Sequence, residues 1–360
     1  MEKGMNSPAY IFSLTGEDLT LAADEARALL CIPANTTQLI DRYLIAQTTK
    51  IEEKKHLVSR LALTKAIWTV LWQWNPDGQA TEEELVQACS DALKHFNNPN
   101  TNTRPLFSGA FFLKTAILSD AGKRTLAEAL WNSAQNPSVC LENGKLFWFA
   151  KIGKTYYLLE QWYSKPKKEK IISPATYPAT KPIAIKPILA RTCINLTGAT
   201  DHIIDPFAGI GTTLVEAAKM GLYPIGFDIE YEMVAAAKKN LEYFGIHRYL
   251  LKRRDSCTLT IPLSYVFCDL PYGKNTKNIT NDLYDRFFRM LEKALQKRAV
   301  VIVPHTWNRK ALQQYQLQCT ATYFSYVHST LTRVILVLEP GKKKVSRKTK
   351  QVNPSKITSR

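Results

Sequence analysis

Asp205-Pro206-Phe207-Ala208-Gly209-Ile210-Gly211-Thr212-Thr213-Leu214-Val215-Glu216-Ala217 is the stretch that decides the fold. The residues before it, His202-Ile203-Ile204, read as a strand that ends in a carboxylate at Asp205. A glycine turn follows at Gly209 and Gly211, and a helix starts at once, from Gly211 to Met220. Glycines placed in this way let the backbone approach a ligand closely and open the helix N-terminus toward it. A G-x-G alone is common in turns, so its position after a strand and before a helix is what gives it meaning.

Downstream, the alternation continues. Tyr223 to Asp228 predicts a strand, Tyr231 to Phe244 a helix, Tyr249 to Arg253 and Tyr265 to Cys268 two strands, and Asp282 to Gln296 a helix. Ala299 to Val303 is an apolar run of the kind expected for a strand buried on both faces. Thr322 to Val327 and Arg333 to Leu338 predict two closing strands. Strand-helix alternation predicts a doubly wound, mostly parallel α/β sheet, a Rossmann-like arrangement. Two more acids fall at strand ends. Asp228 lies close to the roughly 20 residues past the first glycine expected of an acid that accepts ribose hydroxyls. Asp255 follows the third strand, where it can accept from an adenine amine.

The ligand these features suit is not a dinucleotide. Leu214 stands where a third glycine would, and a carboxylate precedes the turn, which disfavours a pyrophosphate. A cationic, amine-bearing nucleoside such as S-adenosylmethionine fits better. At the end of the fourth strand comes Asp269-Leu270-Pro271-Tyr272-Gly273, on the carboxyl edge where open α/β sheets bind their ligands. The lone pair of an exocyclic base amine is delocalised into the ring. Two acceptors aimed at the amine, the Asp269 side chain and the Leu270 carbonyl, draw that lone pair out and stabilise the charge that develops. Pro271 fixes the turn, and Tyr272 offers a face on which a base stacks. The plainer reading of the same string is a strand-ending turn, for which Asp, Pro and Gly are ordinary residues.

The first half has no such rhythm. Tyr10 to Leu14 predicts a strand, Leu19 to Leu30 a helix, Gln38 to Ala46 a second strand, and His56 to about Trp74 a helix ended by Pro76-Asp77-Gly78. Thr81 caps a further helix. After a polar loop, Asn97 to Arg104, residues 108–118 read as a strand. Residues 139–162 read as strands with a hairpin turn at Glu142-Asn143-Gly144. This is an α+β pattern. Five prolines, together with Lys165, Lys167, Lys168 and Lys170, mark a stiff basic linker between Ser164 and Pro187.

With 48 Lys and Arg against 31 Asp and Glu, the formal net charge is +17, and a polyanion is the expected partner. Part of the excess sits in residues 341–350, whose composition predicts a disordered basic tail. The seven cysteines are scattered without metal-ligand or redox spacing. No apolar run reaches membrane-spanning length, and the first residues do not read as a secretory signal, so a cytoplasmic location is expected.

Asp205 to Glu216, Asp228, and Asp269 to Gly273 resemble the motifs of class I amino-methyltransferases. Their usual string is D/N-P-P-Y, so Leu270 is a departure, expected to keep the carbonyl with a looser turn. The chain as a whole resembles the THUMP-domain tRNA guanine-N2 methyltransferases over most of residues 8 to 340. Tyr10 to Leu30 is similar to their ferredoxin-like opening. Pro178 to Leu189 is similar to the segment that leads into the methyltransferase domain and helps cover the cofactor. His328 to Arg333 is similar to a string before the final strand, with His328 or Arg333 at the RNA. The resemblance implies 1–60 as a ferredoxin-like domain, 61–163 as a THUMP-like RNA-binding domain, and 164–187 as linker. Residues 188–340 would be the methyltransferase domain and 341–360 the tail. It implies Asp269, Leu270, Pro271 and Tyr272 as catalytic. It also implies Asp205, Pro206, Phe207, Gly209, Gly211, Thr212, Asp228, Ile229, Asp255 and Thr180 as cofactor-binding. The implied reaction is N2-methylation of guanosine in tRNA, at position ten, with the base flipped out of its stack; a small zinc-binding activator protein serves some family members. DNA or rRNA amino-methylation, an inactive RNA-binding protein, and a scaffold that recruits partners through the tail remain open on the residues alone.

Overall fold

The computed structural model describes residues 9–48, 50–96, 104–139, 144–166, 172–181, 184–272, 282–329 and 331–341. The first sheet begins with β1 (Ala9–Leu14) and α1 (Leu19–Leu30), capped by Asp18, which accepts the Leu21 N–H at 2.9 Å. β2 (Thr37–Ile40) and β3 (Tyr43–Gln47) form a hairpin. Two single-turn helices, α2 (Lys50–Glu53) and α3 (Lys55–Val58), lead to the long strand β4 (Thr64–Trp74). α4 (Glu82–Leu93) opens with a reciprocal cap between Thr81 and Glu84. β5 (Ser108–Thr115), α5 (Asp120–Asn132), β6 (Gln135–Val139), β7 (Lys145–Ile152) and β8 (Thr155–Ser164) complete an eight-stranded sheet, ordered β2-β3-β1-β4-β8-β7-β5-β6.

Four expectations for this half are corrected. The single strand over Gln38 to Ala46 is a hairpin, because the chain turns at Asp41, whose φ is 49°. The helix expected from His56 to Trp74 stops after one turn. Thr64–Trp74 is instead a strand between β1 and β8, where its β-branched and aromatic residues pair on both sides. The hairpin turn lies at Gly153-Lys154, between β7 and β8, and not at Glu142-Gly144. Glu142 and Asn143 fall outside the described residues, and β6 and β7 flank β5 on opposite sides. Between the stretches 108–118 and 139–162, where the sequence predicts no helix, stands α5, capped by Ser119. Most of the polar loop after Phe96 also lies outside the described residues.

In the second half, α6 (Pro187–Leu196) starts with proline at its first position and was absent from the sequence reading. The rest follows that reading: β9 (His202–Asp205), α7 (Thr212–Lys219), β10 (Tyr223–Asp228), α8 (Tyr231–Tyr243), β11 (Leu250–Arg253), β12 (Leu263–Asp269), α9 (Leu283–Ala294), β13 (Leu295–Pro304), β14 (Leu317–His328) and β15 (Leu331–Pro340). They form a seven-stranded α/β sheet ordered β11-β10-β9-β12-β13-β15-β14, parallel except for β15, which runs antiparallel to both neighbours. Ala299 to Val303 are all buried, as the run predicts. α9 puts Phe287, Phe288, Met290, Leu291 and Ala294 into the core on one face of the sheet, and α6 puts Cys193, Ile194 and Leu196 into the core on the other. The strand order reverses between β9 and β12, so the ligand crevice of this topology opens beyond Asp205 and Asp269.

The halves join through a buried polar knot. Glu25 on α1 accepts the Ala62 N–H at 2.7 Å, the Leu63 N–H at 2.9 Å and the Asn195 amide at 2.7 Å, and Arg60 donates to Asn195 Oδ1 at 3.2 Å. Burial raises the Glu25 carboxyl above its ordinary range, and these donors oppose the rise. Tyr323 on β14 adds a hydroxyl donated to Asp24 at 2.6 Å. No described helix is long and apolar enough to cross a membrane.

Candidate active site

Three strands end in acids along one edge: Asp205 on β9, Asp228 on β10 and Asp269 on β12. Asp205 is buried, accepts the Phe207 N–H at 3.0 Å and receives a hydrogen bond from the Thr213 side chain. Its carboxyl is pushed up to about 7, first by burial and then by the charges of Asp228 and Asp269. The turn behind it takes Gly209 at φ 50° and Gly211 at φ 82°, left-handed values that favour glycine. A Cβ on Gly211 would also stand 3.0 Å from the Ala237 Cβ.

Asp228 fastens this turn. Its Oδ2 accepts the Gly209 N–H at 2.8 Å and its Oδ1 the Glu230 N–H at 2.9 Å, which leaves each oxygen a second lone pair for a ribose hydroxyl. Burial raises its carboxyl. Ile229, the next residue, is 59% exposed and offers an apolar face at the rim. Pro206 is held by the Ser256 hydroxyl, which donates to its carbonyl, and Phe207 packs edge-on against Phe287 at 5.3 Å. Thr212 opens α7 with a buried hydroxyl that has no partner among the described residues. Asp255 accepts the Cys257 N–H at 3.0 Å with Oδ1 and pairs through Oδ2 with Arg286, so both oxygens already serve the corner after β11.

Thr180 is exposed on the linker, and the linker reaches the turn through a residue the sequence reading missed. Asn240 on α8 is fully buried; its amide donates to the carbonyls of Ala179 and Ile210 at 2.9 and 2.8 Å, and its Oδ1 accepts the Ala179 N–H at 2.9 Å. Its signal was a polar side chain on the same helix face as Ala237 and Leu241, which are buried. Tyr177 packs beside it against Ala208, Leu214, Val215 and Leu241.

In the Asp269–Tyr272 string, Leu270 is fully buried and its N–H donates to the Ile302 carbonyl at 3.0 Å. A proline there has no such donor, so the departure from D-P-P-Y adds a bond to β13, where a looser turn had been expected. The Pro271 carbonyl accepts the Tyr284 hydroxyl at 3.0 Å. Gly273 lies outside the described residues. The Asp269 carboxyl is pushed up to about 6 by burial, against the opposing charge of Arg333. Its Oδ1 is buried without a partner among the described residues. Arg333, expected at RNA, is only 3% exposed: its Nη2 lies 3.2 Å from Asp269 Oδ2 and its Nε donates to the Tyr272 hydroxyl at 2.7 Å. His328 is exposed.

Comparison with known proteins bears on this edge. The RMKL-like methyltransferase domain model matches residues 174–335, and a DNA methylase model matches residues 45–239. The tRNA (guanine(10)-N2)-dimethyltransferase of Pyrococcus abyssi is 34% identical over 170 residues, 45% of this chain and 52% of that protein. Its counterpart in Methanothermobacter thermautotrophicus is 31% identical over 175 residues, 46% and 52% of the two chains. The chain belongs to the class I amino-methyltransferases. This methyltransferase spans about half the length of the curated relatives it matches. The crystal structure of TrmN from Thermus thermophilus aligns over 92% of this chain and 99% of its own, with 18% identity and a TM-score of 0.45.

The cofactor of the methyltransferase is S-adenosylmethionine. The residues present fit it: a buried acid at Asp205 suits its positive amine, Asp228 its ribose, and the left-handed turn at Gly209 leaves open space where a Cβ would stand.

Proposed function

We propose that this methyltransferase transfers a methyl group to N2 of a guanosine in tRNA, at position ten. The observation that carries the reading is the Asp269 corner: a partly buried carboxylate whose Oδ1 has no partner among the described residues, beside an aromatic ring and close to Asp205 and its glycine turn. S-adenosylmethionine supplies an electrophilic methyl on a sulfonium. Asp269 Oδ1 and the Leu270 carbonyl accept the two hydrogens of the amine, which localises its lone pair and orients it for in-line attack. Tyr272 stacks the base after it is flipped out of the helix. Asp205 and Thr212 meet the amino-acid part of the cofactor, Asp228 its ribose, and Ile229 and Asp255 its adenine. Asn240 holds the linker, with Thr180, over it.

Sequence similarity to two tRNA (guanine(10)-N2)-dimethyltransferases supports the substrate, and the net charge of +17 supports a polyanion. On this reading the strands and helices of residues 1–60 and 61–163 grip tRNA as ferredoxin-like and THUMP-like units. Residues 188–340 carry out the chemistry in the cytoplasm, and the tail, outside the described residues from 342 on, adds phosphate contacts. The match of a DNA methylase model favours duplex DNA as the second reading.

The test is incubation of the purified protein with isotope-labelled S-adenosylmethionine and either unmodified tRNA or duplex DNA, followed by mass spectrometry of the nucleosides. Labelled N2-methylguanosine from tRNA is expected, reduced at least about 10³-fold by Asp269→Ala with cofactor binding retained. Label in DNA alone overturns the tRNA reading, and a fully active Asp269→Ala protein overturns the site.

A further inference from the structure

β15 runs antiparallel to β13, and the pairing of Pro304 with Arg333 places Arg333 at the carboxyl edge of the parallel strands. Its side chain reaches past β13 to the end of β12. The guanidinium Nη2 stands 3.2 Å from Asp269 Oδ2, its Nε donates to the Tyr272 hydroxyl at 2.7 Å, and that hydroxyl stands 3.4 Å from the same Oδ2. Arg333 thus closes a triangle around one carboxylate oxygen, while the other is buried with no partner among the described residues.

Such an arrangement has a physical consequence. A carboxylate with both oxygens free turns easily about its last torsion, which is broad and two-fold. Pinning Oδ2 from two directions fixes where Oδ1 points. A planar guanidinium does this better than an ammonium, because its fork reaches two acceptors in one plane. Among the described residues, the groups that face Asp269 are Arg333 from β15, Tyr272 from its own turn, Tyr284 from α9, Cys193 from α6, and Asp205 and Cys268 from the sheet, and Arg333 is the one cation of that set.

We propose that Arg333 is the positioning residue of the catalytic corner, anchoring Asp269 through Oδ2 and Tyr272 through its hydroxyl so that Oδ1 alone is presented to the target amine. The inference rests on the reading of Asp269 as the amine acceptor. It moves Arg333 from an RNA contact to the support of the reacting groups.

The test uses the full chain labelled with carboxyl ¹³C-aspartate, with the Asp269 resonance assigned by its loss in Asp269→Asn. In Arg333→Gln the titration midpoint of Asp269 rises by about one pH unit or more, because the facing cation is gone. In Arg333→Lys the charge stays and the midpoint moves by less than about half a unit. In methyl transfer, Arg333→Gln shifts the acid limb of kcat upward by the same amount, so part of its roughly 100-fold loss returns at higher pH. Arg333→Lys loses roughly 10-fold in kcat with its pH profile in place, since the fork to Tyr272 is lost. Both variants bind S-adenosylmethionine within about threefold of wild type. A midpoint unmoved in Arg333→Gln, or a uniform loss of kcat without a shifted acid limb, overturns the proposal. If Arg333→Gln does not fold, full activity in Arg333→Lys overturns the role of the fork. A wild-type protein that methylates no base defeats the functional reading, while the carboxylate titration still decides whether Arg333 governs Asp269.

Discussion

The two sheets obey different rules, and the same style of sequence reading succeeds in one and stumbles in the other. In the seven-stranded sheet, strands buried on both faces appear as short apolar runs, and the crossovers from β9 to β10, β10 to β11 and β12 to β13 each carry an α-helix with its own start and stop. In the eight-stranded sheet, partners are set by distant pairing. β4 sits between β1 and β8, which lie far apart in sequence, and its β-branched and aromatic residues find their strand partners only in that distant pairing. Chemistry follows the same division, since the three acids at strand ends belong to the first kind of sheet and the expected RNA grip to the second.

The comparison can be broken at the join. Glu25→Ala leaves the Ala62 and Leu63 N–H groups and the Asn195 amide without their buried acceptor, and it destabilises the chain by roughly 3 kcal/mol. Chemical denaturation checks the size of the loss. The informative outcome is whether one transition persists. A single transition means the two sheets fold as one unit through this knot; two transitions mean the methyltransferase half stands by itself.

A second experiment sharpens what the edge acids do. Burial pushes the Asp205 carboxyl up to about 7 from the ordinary 3.8, so the fold favours its neutral form. The stability it contributes is complete below pH 3.8 and is lost as pH rises through about 7. Cofactor binding runs the opposite way, because the positive amine favours the ionised acid. Affinity for S-adenosylmethionine is therefore expected to weaken about tenfold per unit as pH falls below 7, with a flat response above it. Calorimetry across that range checks this, and Asp205→Asn should flatten the profile. A profile that stays steep in Asp205→Asn would assign the proton to another acid.

The smallest effect is expected outside both sheets. Truncation after Pro340 removes a segment rich in Lys and Arg and should weaken tRNA binding by only a few fold at moderate salt, with a shallower salt dependence. Filter binding at several salt concentrations reads both. An unchanged slope would show that the grip lies wholly in the folded surface.

How much of the site was legible follows from how each residue works. Asp205, Gly209, Gly211, Asp228 and Asp269 act at strand ends and a turn, where residue type and spacing along the chain coincide with the local geometry. Asn240 and Arg333 act across the fold. Asn240 meets Ala179, 61 residues away, and Arg333 meets Tyr272 at the same separation of 61. No spacing in a single sequence announces contacts of that length, although a polar residue among apolar helix neighbours marks Asn240 as a candidate.

By itself the sequence determined the parallel α/β sheet, the glycine turn after β9 and the acids at the strand ends, because these depend on interactions among residues close in the chain and on periodic burial. Tertiary structure alone decided that Thr64–Trp74 is a strand, that the hairpin turn falls at Gly153-Lys154, and that Arg333 faces Asp269 inward. Each of those outcomes depends on which distant backbone edge or buried charge comes alongside, and such a partner exists only once the chain has folded.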